Sequence, residues 1–259
     1  GITNISGTLS TIFLPRGSYT LRLTTRDRAN NVAADSISFI ITTPIPTPAE
    51  ILQKVAENFG KIEDMKAKMI DFGTITIVGT NTIVNTFGPT ERIFMQKKPD
   101  KVKITSVTGT PTTFILNGEM VYLSSEEIGI HQGNIDDMFE ADISPFRSLE
   151  EIVTNGTTTL IAKEGNTYIL EFEPEIEEIS KVVIYVDGNN WMIMKAEVYD
   201  LDKTLRVITA IKEVSCINNI WIPSKYVEMK LLDEVTVARE VVLSNIELNT
   251  EILDSEFEP

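Results

Sequence analysis

The stretch Phe114-Ile115-Leu116-Asn117-Gly118-Glu119-Met120-Val121-Tyr122 decides the fold class. An Asn-Gly pair between two apolar runs is the strongest short hairpin signal, because both residues tolerate the positive φ of a tight turn. Downstream, turn signals recur at Gly165-Asn166, Asp187-Gly188, residues 200–203, Asn218-Asn219 and Asp233-Glu234. Between them lie apolar, β-branched runs at 168–172, 182–186, 191–199, 205–214, 221–231 and 235–246. Strands joined consecutively by tight turns predict an antiparallel meander.

Two of these runs are apolar on both faces, Val182-Val183-Ile184-Tyr185-Val186 and Trp191-Met192-Ile193-Met194. A sheet with one wet face should alternate apolar and polar residues, so both faces here are expected to be covered or to border a cavity. All eight methionines fall after residue 64. Methionine fills irregular cores and is over-used where varied apolar partners bind. The pattern fits a filled core or an apolar pocket.

Residues 134–154 break the period of two. Ile135, Met138 and Phe139 fit one helical turn, and Ser144-Pro145 with Leu149, Ile152 and Val153 fits a second that stops at Asn155-Gly156. Two short helices are expected there. Upstream, Pro44, Pro46 and Pro48 mark an extended linker over 44–48. A helix should follow at once. Thr47 is a suitable N-cap, Glu50 completes a capping box, and Ile51, Leu52, Val55, Phe59 and Ile62 recur at helical spacing until Gly60 marks the stop. Before the linker, 9–13, 19–25 and 36–41 read as strands, with turns at Pro15-Arg16-Gly17 and Ala29-Asn30-Asn31. The chain thus divides into a β segment at 1–43, the linker at 44–48 and one domain at 49–259.

The 259 residues carry 38 Asp and Glu against 23 Lys and Arg, a formal charge of −15. Nucleic acids bind proteins through Lys and Arg, so a nucleic-acid partner is not expected. One Cys and one His exclude an internal disulfide framework and a zinc site built from paired cysteines or histidines. No nucleophile elbow, P-loop, GxGxxG, HExxH or EF-hand spacing occurs, so no catalytic residue, metal or cofactor is assigned. His131, in Gly129-Ile130-His131-Gln132-Gly133, reads as a solvated loop residue, and Cys216 as a small buried hydrophobe. Glu171, Glu173, Glu175, Glu177 and Glu178 match no calcium loop and read as a solvated strand end and turn. A start on Gly1 suggests a mature or cut-down fragment.

The order of elements resembles the LolA/LolB-like family of outer-membrane lipoprotein carriers and sorting proteins. The matching pieces begin with Ile51-Leu52-Gln53-Lys54-Val55-Ala56-Glu57-Asn58-Phe59 and residues 65–71. Next comes the strand pair Ile93-Phe94-Met95-Gln96-Lys97-Lys98-Pro99-Asp100-Lys101-Val102-Lys103-Ile104, then the Asn117-Gly118 hairpin. Asn219-Ile220-Trp221-Ile222-Pro223-Ser224-Lys225 and Asp254-Ser255-Glu256-Phe257-Glu258-Pro259 resemble the last strands and the tail. Residues 1–43 resemble the C-terminal part of a bacterial immunoglobulin-like domain, with Gly17-Ser18-Tyr19-Thr20-Leu21 in place of the tyrosine corner.

The resemblance implies a mainly β fold, a strongly curved antiparallel sheet or incomplete barrel with helices across its opening. It also implies a non-enzymatic carrier or sensor outside the cytoplasm, in the periplasm or at the cell surface, whose apolar cavity shelters lipid or lipoprotein acyl chains. Phe114, Met120, Met138, Phe139, Ile184, Met192, Met194 and Trp221 are the expected lining. Lys98 stands where the family carries a basic lid latch, usually arginine. Expected partners are a lipid or acylated lipoprotein, peripheral contact with a membrane, and self-association through 1–43, whose three strands alone would leave an inner face uncovered. The competing expectation is a cell-envelope interaction module with a filled core.

Overall fold

The computed structural model describes residues 17–26, 30–41, 45–80, 82–125, 129–134, 156–174 and 179–259. Strands β1 (Gly17–Arg26) and β2 (Val32–Ile41) form a separate two-stranded ribbon. Helix α1 spans Pro48–Gly60. It begins as the sequence requires, since the Glu50 amide donates to the Thr47 hydroxyl and the Glu50 carboxylate accepts from the Thr47 amide.

Thirteen strands follow: β3 (Asp64–Ile77), β4 (Thr82–Lys97), β5 (Lys101–Ser106), β6 (Thr112–Asn117), β7 (Met120–Ser125), β8 (Gly129–Asn134), β9 (Gly156–Glu164), β10 (Thr167–Pro174), β11 (Ile179–Asp187), β12 (Met192–Asp200), β13 (Leu205–Ile217), β14 (Ile220–Leu231) and β15 (Val235–Leu248). They make one antiparallel sheet, ordered β8-β7-β6-β5-β4-β3-β15-β14-β13-β12-β11-β10-β9. Two meanders therefore join where β15 returns beside β3, and β8 and β9 are its edges among the described residues. The sheet is not closed into a barrel. A 3-10 turn at Asp254–Phe257 ends the chain.

The tight turns follow from residues that accept positive φ. Asn218 and Asn219 form the two-residue β13–β14 loop with φ of 52° and 60°. At the β6–β7 hairpin the loop is Gly118-Glu119, one residue later than the Asn-Gly signal suggests, with Gly118 at φ 65°. Three local readings are corrected. The 129–133 segment is not a turn, because Leu123 of β7 pairs with His131 and extends the sheet. His131 is exposed on that strand. Cys216 is exposed rather than buried, lying beside the Asn218-Asn219 turn. Asn134 closes β8 and Gly156 opens β9, which trims the expected helical region at both ends. The remainder, including Met138 and Phe139, lies outside the described residues, as do 9–13, Glu175, Glu177 and Glu178.

Cross-strand partners share a face, so the register assigns every row. On the face bearing α1, called inner here, Ile51 and Val55 pack on Leu160, Leu170, Phe172, Val182, Ile184 and Val186. The opposite, outer face explains the apolar residues that do not alternate. Val183 lies between Glu171 and Glu197 in register and is buried. Lys181 reaches Glu171 at 2.9 Å and lies over the Tyr199 ring, and Lys195 pairs with Glu197 and lies over Tyr185. The Tyr185 and Tyr199 hydroxyls both donate to Glu197. Burial opposes ionisation of Glu197, but the bonds from Lys195 and the two tyrosines outweigh it and hold its carboxyl below the usual range.

The C-terminal tail covers the outer face at the other end. Ile252 and Phe257 pack on Met95 and Ile115. Buried Asp64 accepts from the amides of Thr250 and Ile252, Lys97 donates to the Ile252 carbonyl, and Lys103 to that of Glu256.

Candidate functional site

The inner face divides at the edge of α1. Under the helix the core is filled. Ile184 is 0% exposed there, against Ile51 and Val55. Beyond it, the row Ala67, Phe94, Ile104, Phe114 and Leu123 runs in register across β3 to β7. Phe94, Ile104, Phe114 and Leu123 are only half-buried. Met69, Tyr226, Val241 and Leu243 carry the apolar rows on toward β14 and β15 as buried residues. The result is a broad apolar surface that α1 does not cover, and it is the candidate site.

Asn58 marks the boundary. Strand β14 pairs with β15 only from Lys225 onward, so Trp221 has a free ladder position. Asn58 fills it. Its Nδ2 donates to the Trp221 carbonyl at 2.8 Å, and its Oδ1 accepts from the Trp221 amide at 3.2 Å. The same Nδ2 lies 3.3 Å from the Met192 sulfur. One amide side chain thus acts as a rung of the sheet and pins α1. At the helix end, Lys98 Nζ donates to the carbonyls of Phe59 and Gly60, both at 3.1 Å. No basic residue lies in the last turn of α1, so Lys98 supplies that cation from the β4–β5 turn.

Of the expected lining residues, Phe114 lies on the half-buried apolar row and Ile184 under α1. Met192 and Trp221 meet at Asn58. Met194 is the extra residue of a bulge between β11 and β12 and is half-buried. Met120 pairs with Asn117, three rows from Phe114 and so of opposite parity, which puts it on the outer face, 37% exposed. A polar group that the sequence motifs do not single out lies within the apolar surface. Asp71 continues the inner parity of Met65, Ala67 and Met69, and its side chain is 4% exposed. It lies 3.3 Å from an Arg92 nitrogen and 3.2 Å from Arg239 Nε. The charged residue at an apolar parity was a readable signal.

Among the described residues no group of three or more His, Cys, Asp or Glu side chains could hold a metal, and no helix is long and apolar enough to cross a membrane.

No protein-family model matches the chain, and no curated protein matches it in sequence. Solved structures share its fold. A DUF1329 family protein from Desulfovibrio piger superposes with a TM-score of 0.58 at 16% identity, covering 83% of this chain and 98% of that one. An outer membrane lipoprotein-sorting protein domain from Vibrio parahaemolyticus gives 0.55 at 15%, covering 80% and 95%. A LolA superfamily protein from Nitrosomonas europaea gives 0.53 at 14%, covering 83% and 99%. At these identities the likeness concerns architecture, and the chain has a LolA-like fold.

Proposed function

We propose that this protein is a non-enzymatic carrier or sensor outside the cytoplasm that shelters lipid or lipoprotein acyl chains against the inner face of its open sheet. The observation that carries this reading is the half-buried apolar row of Phe94, Ile104, Phe114 and Leu123 beyond α1. Each methylene removed from water contributes about 0.8 kcal/mol, so an acyl chain needs no catalytic group to be held there. The LolA-like fold supports the same reading, since one structural neighbour is a lipoprotein-sorting domain. Lys98 and Asn58 would then hold α1 as a lid over one half of the surface.

A second reading, an interaction module with a filled core, is favoured by the complete packing under α1. The two separate by a paired substitution. Phe114→Glu on the inner row should abolish uptake of a fluorescent fatty acid, while Met120→Glu on the outer face leaves it intact. Equal uptake by both folded variants would reject the carrier reading. The ribbon's exposed Leu21, Leu23 and Ile37 are the surface through which copies would associate. Rapid limited proteolysis throughout 1–43 at native conditions would reject that part.

A further inference from the structure

Within the apolar surface lies a polar group that acyl-chain burial alone does not require. Arg92 pairs with Met69, Arg239 with Gly73, and Asp71 with Val241, so all three share the inner face beside Met69 and Leu243. Tyr226 pairs with Val241 and Glu228 with Arg239, which adds a phenol and a second carboxylate. Lys230 lies 4.0 Å from Glu228. Burial and the neighbouring Arg239 lower the Lys230 pKa, and burial raises that of Tyr226, with Arg239 next among the groups acting on it.

Arg92, Arg239 and Lys230 share this part of the inner face with Asp71 and Glu228, in a protein whose total charge is −15. Asp71 is shared between the guanidiniums, yet its Oδ1 accepts no hydrogen bond. Arg239 donates only its Nε to Asp71, and Arg92 makes no hydrogen bond among the described residues. Tyr226 is nine-tenths buried beside them. The Arg92 and Arg239 side chains remain 28% and 32% exposed, so their free N–H groups can be reached. Guanidinium forks match the oxygens of phosphate and carboxylate in two-pronged geometry.

We infer that Arg92 and Arg239, spaced by Asp71 and flanked by Tyr226 and Lys230, form a binding site for one anionic group, phosphate-like in geometry, at the head of an amphiphile whose chain lies over Met69, Phe94 and Leu243. This rests on the carrier reading and deepens it, because it names the ligand as an anionic rather than a neutral amphiphile. Asp71 keeps the two guanidiniums apart and oriented, and limits the site to a single anion.

Calorimetric titration with palmitoyl lysophosphatidic acid, monopalmitoylglycerol and inorganic phosphate tests it. The two amphiphiles share their chain and differ in the phosphate. The protein should bind the phosphorylated one about tenfold more tightly or better, as expected for charge-assisted hydrogen bonds. Arg92→Gln with Arg239→Gln should remove that preference and leave monopalmitoylglycerol binding unchanged. Asp71→Asn, which frees both guanidiniums, should shift the preference the other way and serves as the check if the double variant does not fold. Equal binding of the two amphiphiles, or a preference that survives in the double variant, overturns the site and leaves the carrier reading standing. Failure of both amphiphiles to bind rejects the carrier reading together with it. Inorganic phosphate binding as tightly as the amphiphile, and lost in the double variant, keeps the anion site but assigns it to free phosphate.

Discussion

Replacing Asn58 by alanine tests how α1 is held. Asn58 is buried, and it alone satisfies the Trp221 amide and carbonyl on the side that β15 does not reach. The substitution removes both bonds and leaves two backbone groups beside buried Ile222. Each lost bond costs about 1 kcal/mol net, and more where water cannot replace the partner, so about 2–4 kcal/mol is expected. That is a large share of a typical total of about 5–15 kcal/mol. Urea unfolding should show a lower midpoint with an unchanged slope, since the same surface is exposed on unfolding. Gln53→Ala is the control, because Gln53 bonds only to Glu57 on the exposed side of the helix and should change stability by about 0.5 kcal/mol or less. Hydrogen exchange at the Trp221 amide should accelerate selectively in N58A. A loss below about 1 kcal/mol with unaltered exchange would refute the pin.

Other expectations follow from the same geometry. Phe257→Ala removes a fully buried ring packed with Met95 and Ile115, and should cost up to about 3–5 kcal/mol while exposing the Ile252 amide to exchange. Lys98→Met leaves the Phe59 and Gly60 carbonyls uncapped, which should cost about 0.3–1 kcal/mol and speed acyl-chain entry without changing affinity. Glu197 titrates below the usual carboxylate range, so its contribution is present above the unfolded value near pH 4 and is lost as pH falls through the folded value. Glu197→Gln should therefore destabilise at neutral pH by about 1–2 kcal/mol, with the difference shrinking in acid denaturation.

Local signals in the chain carried most of the meander. Asn218-Asn219, Gly165-Asn166 and Asp233-Glu234 each end a strand where the structure does, because positive φ and short polar side chains act within a few residues. The capping box at Thr47 was legible for the same reason. Properties that depend on pairing were not. The Gly129 to Gly133 segment looks like a turn until the free edge of β7 is present to receive it. Val183 lies on the outer face and is nonetheless buried, in a row shared with Glu171 and Glu197, which strand alternation does not show. Met120 and Phe114 seemed equivalent as apolar residues of one hairpin, but strand parity sends them to opposite faces. Asp71 stands out as a charge at an apolar parity, but its pairing with Arg92 and Arg239 does not, since the three come from three strands that only register brings together.

Under the proposed function an acyl chain lies on the inner face, beyond α1. Intermolecular nuclear Overhauser effects test it directly, between a carbon-13-labelled fatty acid and the methyl groups of the otherwise deuterated protein. Contacts are expected to Ile104, Val241 and Leu243 on the inner face and none to Val183 or Ile208 on the outer face. Contacts to the outer methyls, or none to the inner ones with ligand in saturating excess, would contradict it.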